Sequence, residues 1–384
     1  MLKKAGFLFA ALVIVFGVSL LVPGFRNKVK KIRTSLHYKY NETFANESSW
    51  LMRTEIGPAG TMRVTRFTSP VFCVDRIYKS MTGPLSLHTF KLEDPGEDSL
   101  IWLKSYSVDI TDRESKELKS PDFMCHNNLD CNVDNYLSRI GFKSRIGYLN
   151  SRLFTLTEGQ TSLELPAGFA LPLMADQFFT VQAQVLNQNL PHLEEWVRHR
   201  SSLGYFTSGD AAKLGLKPLF TENIYIGMPA TTRTDGVCAK DECIPATASN
   251  AYMHQWKGKN YTGHWVIKPG KDTFRCEVTN ELSLPFSTTI HYIGVHVHPF
   301  VESFSLKDLT ADSVIFAVQP VDLKPAIGLG KIGCYSSTTG IPICKDHKYE
   351  LICRTNNTTG TDQDMMAVML LYLYDKELEK ILHP

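Results

Sequence analysis

The chain has no excess of either charge, no internal repeat and almost no helical patterning. Its 41 basic and 39 acidic residues leave a formal net charge of +2 over 384 positions. So even a balance gives no bulk field toward a polyanion, which excludes nucleic-acid binding driven by summed charge. Twin Cys-x-x-Cys pairs are absent, and with them the usual ligand spacing of a structural zinc site. A Gly-x-Ser-x-Gly elbow, a P-loop and a dinucleotide fingerprint are absent too, which removes the hydrolase, nucleotide and Rossmann motifs. No short repeat or low-complexity tract suggests a solenoid.

What is present begins with an uncharged apolar run of 21 residues, Ala5 to Phe25. About 20 apolar residues cross a bilayer as a helix, and a signal-peptide core is normally shorter. Residues 1–33 therefore read as a membrane anchor with a basic flank (Arg26 to Arg33), a cleaved signal being the alternative. Residues 34–50 read as a polar stalk. The charge count around the span favours an inward body. The nine cysteines argue the other way, because Cys125/Cys131, Cys238/Cys243 and Cys334/Cys344 are each spaced to close a short loop in an oxidising compartment. Sequons at Asn41, Asn46, Asn260, Asn356 and Asn357 fit export but are short matches. The expected body lies on the periplasmic, extracellular or lumenal side, tethered to lipid through residues 5–25, with a redox or membrane-protein partner and no nucleic acid.

Strand-like runs bounded by Pro and Gly recur from Met62 to the C-terminus, among them Leu100–Lys104, Phe179–Val185, Ile290–His298, Ser313–Val318 and Ala367–Tyr374. They predict an all-β chain of two tandem antiparallel sandwiches. Helices are expected only over Pro191–Arg200 and Asp375–Ile381. The similar turns Leu165-Pro-Ala-Gly168 and Lys268-Pro-Gly270 suggest an N-terminal sandwich over 51–228, a linker over 229–263 and a C-terminal sandwich over 264–384.

Within the last segment stands Val295-His296-Val297-His298, flanked by apolar residues. Alternate strand residues share a face, so the two imidazoles can hold one divalent ion, copper or zinc being usual for this ligand. Met366 opens a late β-patterned run and offers a soft thioether; the competing reading is that Met365, Met366 and Met369 fill core gaps. His254 and His264, beside aromatics near the linker, read first as packing or hydrogen-bonding residues. His291 falls on the opposite face from His296 unless a bulge intervenes.

The order of a Pro-Gly turn, Phe274-Arg-Cys276, Val295-His-Val-His298, Tyr349 to Arg354 and Asp364-Met-Met366 resembles the copper type II, ascorbate-dependent monooxygenases. Peptidylglycine α-hydroxylating monooxygenase and dopamine β-hydroxylase are members. The resemblance covers most of residues 264–384. It implies two jelly-roll sandwiches with one copper each, facing across a solvent-filled cleft. The oxygen-activating copper would sit on His296, His298 and Met366, with ascorbate or another reductant supplying electrons. The family's second copper uses adjacent histidines. Here Cys125-His126 stands at that place and Leu186 at the third ligand, which leaves an altered ligand set, a lost site, or a Cys125–Cys131 bond. The family's substrate-binding Arg and Tyr fall on Gly294 and Leu370, which argues against a peptide C-terminus as substrate. Two functions follow: hydroxylation of a C–H bond in a non-peptide substrate, or a non-catalytic copper-binding or structural/interaction protein on the same scaffold.

Overall fold

The computed structural model describes residues 50–58, 60–92, 100–131, 137–142, 151–229, 253–256 and 259–382. The proposed anchor and most of the stalk lie outside the described residues, as do most of the linker, Cys238 and Cys243. No helix among the described residues is long and apolar enough to cross a membrane.

The described chain is built from β-sheets. The largest sheet follows the spatial order Leu51–Glu55, Arg63–Thr68, Glu195–Thr207, Leu100–Asp112, Phe169–Met174, Lys217–Tyr225, Ala367–Tyr374, Thr288–Val297, Tyr335–Ile343. It runs without a break from the first half of the sequence into the second, through a short parallel pairing of Lys217–Tyr225 with Phe169–Met174. Its other ladders are antiparallel. Two four-stranded sheets pack against it. One comprises Leu85–Lys91, Phe178–Val185, Met124–Cys131 and Arg152–Leu156; the other Gly270–Glu277, Tyr349–Asn357, Val301–Asp308 and Ser313–Val318.

Two hydrophobic cores result, and one strand pair separates them. Along Ala367–Tyr374, Val368, Leu370 and Tyr372 face the first core, while Ala367, Met369, Leu371 and Leu373 face the second. Thr288–Val297 does the same, with Tyr292 in the first core and Ile293, Val295 and Val297 in the second. A strand buried on both faces has no reason to alternate polar and apolar residues. That accounts for the unbroken apolar run Ala-Val-Met-Leu-Leu-Tyr-Leu at 367–373, every residue of it buried. Each side chain of this pair that leaves the second core must enter the first, and this property positions the site.

Two expectations are corrected. Pro191–Arg200 is not helical; Glu195–Thr207 is a 13-residue strand pairing with Arg63–Thr68, Phe72–Val74 and Leu100–Asp112. Its inward face is Val197, His199, Ser201 and Leu203, all buried, so polar residues on the core side hide the period of two. The helix at the C-terminus is present as Lys376–Leu382. The Cys125–Cys131 bridge is not formed. Both cysteines are free thiols on the one strand Met124–Cys131, where six residues at ~3.3 Å each hold them roughly 20 Å apart, far beyond the ~7 Å limit for a disulfide. Cys334 and Cys344 are free thiols as well.

Polar burial in the first core is specific. Lys104 is buried with its ammonium donating to the carbonyls of Leu165, Pro166 and Phe169 at 2.5, 2.7 and 3.3 Å. These carbonyls belong to the Pro-Ala-Gly turn, whose Gly168 has φ +77°, a region open to glycine at little cost. Charge-assisted bonds of this kind are the stronger class, and they fasten the turn to the central strand.

Candidate metal centre between the two cores

The strand Thr288–Val297 carries a bulge between Ile290 and Tyr292, and the bulge sets the phase of everything after it. His291 sits at the irregularity and is engaged there. Its Nδ1 lies 2.9 Å from the Ser337 carbonyl, its Nε2 2.8 Å from Thr289 Oγ1, and its ring stacks on Phe169 at 3.8 Å. Beyond the bulge, Val295 and Val297 face the second core, so His296 and His298 turn toward the first half of the chain.

The neighbouring strand supplies the thioether. His296 pairs with Val368 and Val297 with Ala367. One step further, the His298 N–H donates to the Met366 carbonyl at 3.3 Å, which sets His298 opposite Met366. Directly opposed residues of an antiparallel pair share a face, with Cβ atoms about 4.5–5.5 Å apart. Met366 is buried and packs in the first core. The His296 and His298 rings stand 5.5 Å apart and nearly perpendicular, at 89°. The three residues the sequence nominated therefore occupy one face. Gly294 and Leu370, at the family's substrate positions, also pair with each other.

The opposite wall comes from the first half. Thr82 N–H donates to the Lys79 carbonyl at 3.1 Å, closing a turn whose Met81 has φ +61°. This left-handed conformation disfavours side chains larger than glycine. Gly83 lets the turn press onto the adjacent strand, since a Cβ there would meet the Val185 carbonyl oxygen at 1.9 Å. The turn delivers Ser80 Oγ to within 3.2 Å of His298 Nε2. Cys125 Sγ accepts from Met81 N–H at 3.5 Å and also bonds the Ser80 hydroxyl. Ser80, Cys125, Glu158, Leu186, His296 and His298 line a cavity of about 20 Å³, room for a water or one ion.

Burial sets the protonation of the cluster. It drives His296 well below the ordinary histidine value, with His298 and His126 adding repulsion. His298 is lowered by burial against the opposing pull of Asp364. His126 is pushed to about 3 by burial, then by Arg152 and His199. The imidazoles are thus neutral near pH 7, the form that binds metal. Asp364 fixes the tautomer of His298. Its carbonyl lies 3.2 Å and its carboxylate 3.3 Å from Nδ1, so Nδ1 carries the proton and Nε2 presents its lone pair to the cavity. Metal-ligating histidines are commonly oriented by such a partner. Glu158 is raised to about 8 by burial, with Asp122 and Asp322 adding to the shift, and stands as a neutral acid.

Several buried polar atoms have no hydrogen-bond partner, among them His296 Nδ1, His126 Nε2 and both carboxylate oxygens of Asp364. Such atoms are costly to leave bare, and the donor set fits a soft or borderline cation. Among the described residues, no three His, Cys, Asp or Glu side chains already stand at metal-holding spacing. The Ser80 hydroxyl lies between Cys125 and His298. The set His296, His298 and Met366 has only two members of those four residue types.

Cys125 lines the cavity, and His126 follows it on the strand, opposite Gln184. Leu186, at the family's third ligand position, forms part of the same wall. Sequence reasoning missed Ser80, 218 positions from its partner His298, and Glu158; neither carries a local signal. His264, read from the sequence as a packing or hydrogen-bonding residue, is buried beside the site. That ring lies 5.9 Å from His298, with Nδ1 3.8 Å from Asp364 Oδ1. The side chain of His254 lies outside the described residues.

No family model matches the chain, and no curated protein matches it. Among solved structures, the infectious bursal disease virus VP2 subviral particle aligns at 9% identity over 87% of this chain and 75% of that one, with a TM-score of 0.20. The structure of the Gx strain of the same virus aligns at 8% identity over 85% and 74%, also at 0.20.

Proposed function

We propose that this protein is an exported copper-binding protein in which His296, His298 and Met366 hold the ion on a scaffold of two jelly-roll-like sandwiches. The observation that carries the reading is the pairing of His298 with Met366. It brings a thioether and a neutral, correctly oriented imidazole to one face of a strand pair, beside His296. Two nitrogens and a soft sulfur favour copper, above all its reduced form, over calcium, magnesium or manganese. Bound there, copper would supply a one-electron redox centre. His296 and His298 would hold it, and Asp364 keeps Nε2 of His298 unprotonated.

Binding is favoured over C–H hydroxylation. The cavity beside the imidazoles is small, about 20 Å³. Cys125 and Leu186, the counterparts of the family's second copper site, open onto this same cavity. Export is supported by the uncharged run at 5–25 and the sequons; the free thiols among the described residues give it no help. The test is metal analysis of the full chain after anaerobic loading with copper(I). About one copper per chain is expected, lost in the His296→Ala/His298→Ala double variant, with no ascorbate-dependent oxygen uptake beyond that of free copper. A chain that takes up no copper, or a double variant that retains it, refutes the assignment.

A further inference from the structure

The large sheet ends in Leu51–Glu55, and among the described residues no strand lies against the outer edge of this one. An open edge presents unpaired N–H and C=O groups to any other chain, and proteins usually blunt it with proline, lysine or a bulge. None of these is present here. The strand reads Leu-Met-Arg-Thr-Glu, and its register with Arg63–Thr68 runs unshifted from Leu51 to Glu55. It is also fastened in place. Trp50, just before it, donates from Nε1 to Ser86 Oγ at 3.0 Å and stacks on His88. We propose that a second copy of this chain pairs antiparallel with that edge about a two-fold axis at Thr54, so that the large sheet runs unbroken from one copy into the other. The inference goes beyond the copper-binding reading and uses none of its residues.

The neighbouring strand already distinguishes the two faces of the edge. Met52 and Thr54 lie opposite Phe67 and Thr65, both fully buried, and the Thr54 and Thr65 hydroxyls share a hydrogen bond of 2.9 Å. By alternation Met52, Thr54 and Ile56 share the core-side face, and Leu51, Arg53 and Glu55 the outer one. The apolar members of the core-side face extend past the core, Met52 at 36% and Ile56 at 67% exposure.

Opposed residues of an antiparallel pair share a face, and an axis at Thr54 matches both faces at once. Met52 meets the partner's Ile56 on the core side, while Arg53 meets the partner's Glu55 on the outer side, and the two-fold repeats each contact. Other axes fail. At Arg53 or Glu55 the axis sets like charges against each other. At Met52 it opposes Arg53 with Leu51, and at Ile56 it opposes Glu55 with Gly57. Between residues it brings core-side positions against outer ones. Arg53 itself needs the carboxylate. It stands directly opposite Arg66 in the ladder, a like-charge pair, and Glu55 of its own strand is taken by Arg66.

Five strand residues a side are few beside the about 20–30 of a standard interface, so a dimer of micromolar strength is expected. The test is sedimentation equilibrium of the full chain in detergent micelles at concentrations up to about 100 μM. The wild type should show a monomer–dimer equilibrium. Arg53→Glu and Glu55→Arg each turn two opposite-charge contacts into like-charge ones and should each weaken the dimer about tenfold. Mixed in equal amounts, one variant offers two carboxylates and the other two guanidinium groups, and association should return to the wild-type level. A wild type that stays monomeric, as a different protein on this edge would give, overturns the proposal. So do single variants that dimerise like the wild type, or a mixture no more associated than its components. Should a single variant fail to fold, the double variant Arg53→Glu/Glu55→Arg decides: it should dimerise like the wild type, and a folded monomer overturns the proposal.

Discussion

Replacing Asp364 by Asn separates a metal-orienting role from a structural one, because the two predict opposite signs for stability. The side chain is 11% exposed, and neither carboxylate oxygen makes a hydrogen bond. Its near neighbours are the neutral His298 at 3.3 Å and His264 at 3.8 Å. A buried group left in this state costs about 1–3 kcal/mol, more when charged. The amide is the same size and carries no charge, and the backbone carbonyl still accepts from His298 Nδ1–H. Asp364→Asn should therefore stabilise the metal-free protein by about 1 kcal/mol. Copper affinity should move the other way. The Asp364 carbonyl still orients the ring from 3.2 Å, so only the carboxylate's share is lost. Outer-shell changes cost 10–100-fold in metal affinity, and the lower end applies here, about tenfold or ~1.4 kcal/mol. Urea unfolding of the metal-free chain and competition with a copper(I) chelator measure the two quantities. Lower stability with unchanged copper affinity would refute the reasoning and make Asp364 a fold residue.

Two further outcomes concern the scaffold. Lys104→Met strips the donor from three carbonyls of the Pro-Ala-Gly turn and should cost about 3 kcal/mol or more by urea titration; a loss below 1 kcal/mol would show that the turn holds without it. His199 is fully buried and pushed to about 3 by burial, whereas a free histidine titrates near 6.5. Between those values the unfolded chain binds a proton that the folded chain refuses, so stability falls as pH drops below about 6.5, by roughly 2 kcal/mol from this residue at pH 5. His199→Leu should flatten that limb; parallel acid profiles of variant and wild type would refute the account.

The strand content was legible because period-two patterns and turn residues are local. Ser313–Val318 and Ala367–Tyr374 have the limits their composition suggests. The misreading of Pro191–Arg200 has an equally local cause. Buried His199 and Ser201 put polar residues where the pattern requires apolar ones, and their acceptance depends on partners such as Asn127, 3.3 Å from His199 Nδ1, 72 positions away. Cys125 and Cys131 looked like a loop-closing pair because spacing along the chain carries no direction; once both lie on one strand, closeness in sequence becomes distance in space.

By itself the sequence determined an all-β chain with a strand bearing two imidazoles on one side, since chirality and pleat assign alternate residues to alternate faces whatever surrounds them. Which side faces what was settled by tertiary structure. The pair Thr288–Val297 and Ala367–Tyr374 lies between two cores, so a side chain excluded from one is delivered to the other. The register of that pair sets Met366 beside His298, and the turn at Ser80 closes the cavity from the far half of the chain. Registers and long-range contacts are energies of whole packed surfaces, and no short stretch of residues contains them.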